Sequence, residues 1–230
     1  MGALVGVLPP ARMFKRDNPR RDEYSFGNNY GNRIYDLGGI PLGILPSDGR
    51  VSEKVLERFD SFLICGGAKF WPHHLQVVHH AYVTGKPLLG ICLGMESIYY
   101  YFHVREFMKA HGRENDDLFA VFQDIREMEG KLPYVTGHDL EHIRGREDET
   151  KQAVRLLPGS HIYRLLGKEE IRAGSFHVHC IPSEPPAPLT VTGWAEDGTV
   201  DVIECGENIL GVQFHPEIDR DLLPLFSILV

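Results

Sequence analysis

Long apolar runs are missing from this chain. No stretch approaches the roughly 18 to 20 apolar residues that a membrane-crossing helix needs, so no membrane partner is expected. The first residues, MGALVGVLPPARMF, lack a basic leader, a long apolar core and a small-residue cleavage site. They read as a first strand rather than a signal segment. Cysteine is scarce and scattered: Cys65, Cys92, Cys180 and Cys205 make no C-x-x-C. That spacing argues against a structural zinc or a disulfide framework and favours a reducing, cytoplasmic setting. Basic charge is also short. Lys and Arg number 24 against 32 Asp and Glu, a formal net charge of -8. Phosphate binding needs a basic face, so nucleic acid is not an expected partner. The one basic cluster, KRDNPRR at 15–21, is diluted by acid and reads as a solvated loop. No internal repeat or low-complexity segment stands out.

What is present is enough for one sizeable core. With 230 residues and 43% hydrophobic content, a single domain over residues 1–230 is expected. ALVGVLP, IPLGILP, SFLIC and PLLGI are short apolar runs without alternation. NNYGNRIYDLGG, SEKVLERF, HLQVVHHAYVTG and LGMESIYYYFHVREFMKAHG have helical spacing. Glycines end the first of these helices, and Ser52 is a candidate N-cap for the second. Strands alternating with helices, and apolar throughout, predict a parallel sheet covered on both faces. Residues 111–151 read as charged and loop-rich. After them IRAGSFHVHCI, LTVTGWAEDGTVDVIEC and ILGVQFHPEI read as strands joined by turns such as Asp197-Gly198. These late strands are expected to complete the sheet or add an antiparallel layer. HHLQVVHH at 73–80 reads as a helix with a solvated polar face.

One thiol sits where a strand gives way to a helix. G-x-C-x-G at 90–94 has the shape of a nucleophile elbow. Gly90 and Gly94 leave room for a sharp turn. Cys92 would then stand at the carboxyl end of the sheet, where open α/β sheets place ligands. The helix dipole favours a thiolate there, and the amide of Leu93 points to the same place, suited to an oxyanion. The bland alternative is a buried cysteine acting as a small hydrophobe. A thiol nucleophile needs a base, and GVQFHPE at 211–217 offers His215 with Glu217 two residues on.

LLGICLGME followed far downstream by ILGVQFHPE resembles a class I glutamine amidotransferase-type domain, and most of all the γ-glutamyl-γ-aminobutyrate hydrolase family (peptidase C26). The resemblance extends to NRIYDLGGIPLGILP, RFDSFLICGG, FQDI at 122–125, VRLLPGSHIYRLLG and GWAEDGTVDVIEC, and so covers nearly the whole chain. It implies a flavodoxin-like three-layer α/β sandwich with a mostly parallel sheet, a nucleophile elbow and late antiparallel strands. It implies hydrolysis of a γ-glutamyl amide, such as γ-glutamyl-γ-aminobutyrate, through a thioester. Cys92, His215 and Glu217 would be the triad. Gly67, or in second place Gly66, would join Leu93 in the oxyanion hole. Glu96, Ser175 and His177 would line the substrate pocket. No cofactor and no metal is implied.

The chain departs from the family pattern in three places. Glu96 stands where Gln is usual, one helical turn from the nucleophile, which sets an anion against the helix dipole. AGSFHVHC keeps Ser175 and His177 but puts Val178 and His179 where His and Gln are usual. About 20 residues, HVREFMKAHGRENDDLFAVF, precede FQDI, so the helix after the elbow runs on or a lid-like insertion sits near the site. HDLEH at 138–142 has an i, i+4 histidine pair, but Asp follows the first His, Gly137 precedes it and no third ligand is evident. Two other functions fit the same motifs. One is a glutaminase subunit feeding ammonia to a separate synthase; the other is a non-catalytic binding protein on this fold. A small γ-glutamyl compound is the expected partner, and a homodimer is compatible with the chain.

Overall fold

The computed structural model describes residues 2–12, 23–139 and 150–230. The basic cluster at 15–21 and most of HDLEH, including His142, lie outside the described residues. In chain order the strands are β1 (Leu4–Leu8), β2 (Ala11–Arg12), β3 (Glu23–Tyr24), β4 (Ile40–Gly43), β5 (Ser61–Ile64), β6 (Leu88–Ile91), β7 (Lys151–Leu156), β8 (Glu170–Gly174), β9 (Thr190–Ala195), β10 (Val200–Cys205) and β11 (Ile209–Val212). The α-helices are α1 (Asn28–Asp36), α2 (Glu53–Leu56), α3 (Pro72–Thr84), α4 (Leu93–Ala110), α5 (Leu118–Glu129) and α6 (His161–Leu166).

Nine strands form one sheet in the order β4-β1-β5-β6-β11-β10-β9-β7-β8. The first five run parallel; the pairings from β11 through β8 are antiparallel. The late strands therefore complete the same sheet. β5, β6 and β11 are buried at every position, which explains their unbroken apolar sequence. On one face α3, α4 and α5 contribute Leu75, Val78, Met95, Ile98, Tyr101 and Phe122 to a core cluster. On the other, α1, α6 and a 3-10 helix (Arg220–Leu229) contribute Ile34, Ile162, Leu225 and Phe226. Each such side chain, fully buried, stabilises by about 1.5 to 3 kcal/mol before chain entropy is counted.

Ser52 occupies the expected N-cap position of α2, although its side chain makes no capping hydrogen bond. Three expectations need correction. Residues 111–151 are not loop alone: α5 lies within them, capped by Asp117, whose carboxylate accepts from the amides of Phe119 and Ala120 at 3.0 Å each. The strand expected over IRAGSFHVHCI stops at Gly174; beyond it Phe176 and His179 make only isolated bridges, to Asp139 and Tyr134. Finally, α3 has no solvated histidine face. His73, His74 and His80 are all buried, because α3 is packed against both the sheet and its neighbouring helices. His74 stacks on Phe70 at 5.3 Å and on His73 at 4.7 Å, so these rings serve as aromatic packing. Burial lowers the pKa of His73 to about 4 and that of His74 to about 3, and both stay neutral.

Candidate active site

The elbow is built from close approaches that only glycine permits. A Cβ on Gly90 would stand 2.6 Å from the carbonyl of Gly94, and one on Gly94 would stand 2.4 Å from the oxygen of Ile64. Between them Cys92 takes φ 54° and ψ -108°, a positive φ that few non-glycine residues adopt. Its amide donates to Val212 O at 2.8 Å and its carbonyl accepts from Glu96 N at 3.1 Å. The residue thus ends β6 and caps α4 in a single step. Cys65, by contrast, follows β5 into the core, where burial and then Glu217 push its thiol pKa well up. It has the character of an inert, packed cysteine.

His215 lies three residues beyond β11. Its amide donates to Gly174 O at 2.9 Å, and its Nδ1 lies 2.7 Å from Glu217 Oε1. Nε2 forms no closed hydrogen bond among the described residues and faces the Cys92 thiol. Gly66 marks how tightly these groups meet: a Cβ there would be 2.8 Å from His215 Cε1 and 3.4 Å from Cys92 Cβ. Burial lowers the His215 pKa, but Glu217 and the neighbouring thiol outweigh it, and the net shift is well upward. The imidazole is therefore suited to holding a proton between sulfur and carboxylate. The three residues lie on two segments separated by more than a hundred positions and converge at one point.

The Gly66 amide donates to the Tyr30 hydroxyl at 3.1 Å, which leaves the amides of Gly67 and Leu93 as the candidate oxyanion pair. Tyr30, on α1, is absent from the residues singled out by sequence. Burial, then the charge of nearby Glu217, raises its pKa well above the ordinary range. A lone Tyr in an amphipathic helix carries no sequence signal for this role.

Leu93 and Glu96 line a cleft of about 1420 Å³ whose walls include Phe70, Trp71, Phe122 and Arg126. The extra residues before FQDI become the end of α4 and the start of α5. Phe119, Phe122, Gln123 and Arg126 of α5 form one wall of the cleft. Glu96 is largely buried, and desolvation raises its pKa to about 7 against opposing help from Gln213 and Arg126. The anion expected to oppose the helix dipole is thus about half neutralised at neutral pH.

Ser175 and His177 are not in the cleft wall. Ser175 is fully buried and its hydroxyl donates to His138 O at 3.0 Å. His177 is buried with Nδ1 2.9 Å from His179 O, and His179, not His177, reaches the cleft. Phe176 between them places its carbonyl oxygen 4.0 Å from Cys92 Sγ.

Compared with known proteins, residues 119–217 match the family model described as Peptidase C26. Over 222 residues the chain is 26% identical to the putative glutamine amidotransferase-like protein YvdE of Lactococcus lactis, covering 84% of this chain and 83% of that one. The chain is thus similar to glutamine amidotransferase-like proteins of the Peptidase C26 kind. Such proteins of known structure share its fold. The glutamine amidotransferase of Thermotoga maritima superposes with a TM-score of 0.59 at 14% identity, covering 99% of this chain and 82% of that one. A putative GMP synthase component from Thermoplasma acidophilum also gives 0.59, at 18% identity, with 100% and 93% covered. Imidazole glycerol phosphate synthase subunit HisH of Pyrococcus furiosus is 29% identical over 138 residues, a match spanning 58% of each chain. No helix among the described residues is long and apolar enough to cross a membrane.

Proposed function

We propose that this chain hydrolyses the amide bond of a γ-glutamyl compound, γ-glutamyl-γ-aminobutyrate or a similar γ-glutamyl amine, by thiol catalysis. The observation that carries this reading is His215 set between the Cys92 thiol and the Glu217 carboxylate, with Nδ1 2.7 Å from Oε1. In the first step Cys92 Sγ attacks the γ-carbonyl carbon and its proton passes to His215 Nε2. The oxyanion rests on the amides of Leu93 and Gly67. His215 returns the proton to the departing amine, the C–N bond breaks, and a γ-glutamyl thioester remains. His215 then takes a proton from water, hydroxide attacks the thioester, and glutamate leaves as the thiol is restored. Glu217 holds the imidazole orientation and supports its cationic form. The test is a panel of glutamine, γ-glutamyl-aminobutyrate and short poly-γ-glutamates, followed by ammonia, amine and glutamate release with Cys92→Ala as control. Turnover undiminished in that variant would refute the triad.

A second reading is favoured by the likeness to two synthase components. In it the same thiol chemistry releases ammonia from glutamine for a separate synthase. Glutaminase activity that appears only when such a partner is added would support it. Full activity of the isolated chain on γ-glutamyl amines would count against it.

A further inference from the structure

A second histidine–carboxylate group lies outside the thiol site. His138, in the loop before the undescribed segment, meets His177 and Asp201 of β10. All three are buried, and one ligand atom from each falls within 4.8 Å of the others. The hydrogen bonds around them fix where protons sit. His138 Nε2 lies 2.9 Å from Asp197 Oδ2, so the proton is on Nε2 and Nδ1 carries the lone pair. That Nδ1 accepts from the Gln152 amide at 3.0 Å. His177 Nδ1 lies 2.9 Å from His179 O, so its proton is there and Nε2 carries the lone pair. Asp201 Oδ2 accepts from Gln152 at 3.1 Å.

What remains has no donor. His177 Nε2 and Asp201 Oδ1 are 4.0 Å apart, too far for a hydrogen bond, and neither has a partner among the described residues. Two unpaired acceptor atoms therefore face one small buried space beside His138 Nδ1, whose only partner among the described residues is the Gln152 amide. Burying such groups without compensation costs several kcal/mol. A cation resolves the conflict, because it accepts lone pairs from all three at once. The outer partners have the arrangement metal sites use: each imidazole gives its other N–H to a carboxylate or a backbone carbonyl.

We propose that His138 Nδ1, His177 Nε2 and Asp201 Oδ1 form a binding site for a zinc-type divalent transition-metal ion. Two imidazoles and one carboxylate suit such an ion better than magnesium or calcium, which prefer all-oxygen sets. Bonds of about 2.0 to 2.2 Å require each ligand atom to move inward by under about 1 Å, with Gln152 yielding its bond to His138. A water completes the set. The ion would act as a clamp. It would fasten the segment carrying Phe176, whose carbonyl faces Cys92, to β10 and to the 131–139 loop. This site stands independently of the proposed hydrolase reading.

The experiment uses the full chain freed of metal by a chelator and titrated with Zn2+ and Co2+ by calorimetry and visible absorption. One equivalent of Zn2+ should bind, with a rise in melting temperature and a cobalt spectrum of nitrogen–oxygen type. The Cys92→Ala variant should bind as tightly as wild type, since the ion is not on the thiol. His177→Gln should abolish stoichiometric binding. Asp197→Asn, at a half-exposed turn residue outside the ligand set, should weaken it by about 10- to 100-fold while the metal-free fold stays unchanged. The proposal is overturned if wild type binds no stoichiometric ion, or if Asp197→Asn binds like wild type. It also fails if cobalt gives a thiolate band that Cys92→Ala removes.

Discussion

Two histidine–carboxylate groups share the segment 174–177, and a single distance separates their chemistry. His215, whose amide is held by Gly174 O, has Glu217 Oε1 at 2.7 Å. His177 has Asp201 Oδ1 at 4.0 Å. His177 is buried and His215 nearly so, which by itself favours the neutral ring. In the first group contact with the carboxylate and thiol outweighs burial, and the pKa rises. In the second, burial wins and the pKa falls to about 4. A carboxylate must touch the ring to hold a proton on it; at 4.0 Å it does not. The first group is thereby suited to proton transfer and the second to presenting lone pairs.

The comparison can be broken most sharply at the thiol. Cys92→Ala should leave the melting temperature nearly unchanged and lower γ-glutamyl turnover by about 10⁴-fold or more, read as glutamate release. Glu217→Gln keeps the shape of the first group but removes its charge. Turnover should fall by about 10² to 10⁴, mostly in kcat, and NMR titration should find the His215 pKa lowered. A His215 pKa unmoved by that change would mean the 2.7 Å contact is not what raises it. In the second group the matching change is Asp197→Asn, with its about 10- to 100-fold loss of zinc affinity and no effect on the His215 titration.

A separate effect, on stability rather than on activity or affinity, is expected at Glu96. Its folded pKa of about 7 lies above the ordinary carboxyl value of 4.5, so the folded state favours the protonated acid. The stability this contributes is complete below the unfolded value and is lost as pH rises through 7. Glu96→Gln should therefore match wild type in chemical denaturation at pH 4. It should exceed it by on the order of 3 kcal/mol at most at pH 8. Equal stability at both pH values would show that Glu96 is solvated in the folded chain.

Most of the elbow was legible because its requirement is local. Gly90 and Gly94 flank Cys92, and the contacts that forbid side chains there are within a few residues or on the adjacent strand. The parallel order of β1, β5 and β6 was legible in unbroken apolar runs. Other features were hidden. The histidines of α3 read as solvated because their spacing is polar, yet α3 packs on two sides and turns them into stacked rings. Ser175 and His177 carry contacts that no motif announces: the Ser175 hydroxyl donates to His138 O, and His177 Nδ1 lies beside His179 O. HDLEH offered an i, i+4 histidine pair with no third ligand, and nothing in it announced His177 and Asp201, which lie beside His138 from 39 and 63 positions away. Tyr30 gave no signal at all.

The order of residues by itself determined the thiol turn, the alternation of strands and helices, and the proximity of His215 to Glu217, because each depends on neighbours in the chain. Tertiary structure alone decided which carboxylate touches which imidazole, which glycine amide stays open and which histidines lose water. Those outcomes hang on distances of a few ångströms between segments that only the folded sheet brings together, and both burial and Coulomb effects change steeply over that range.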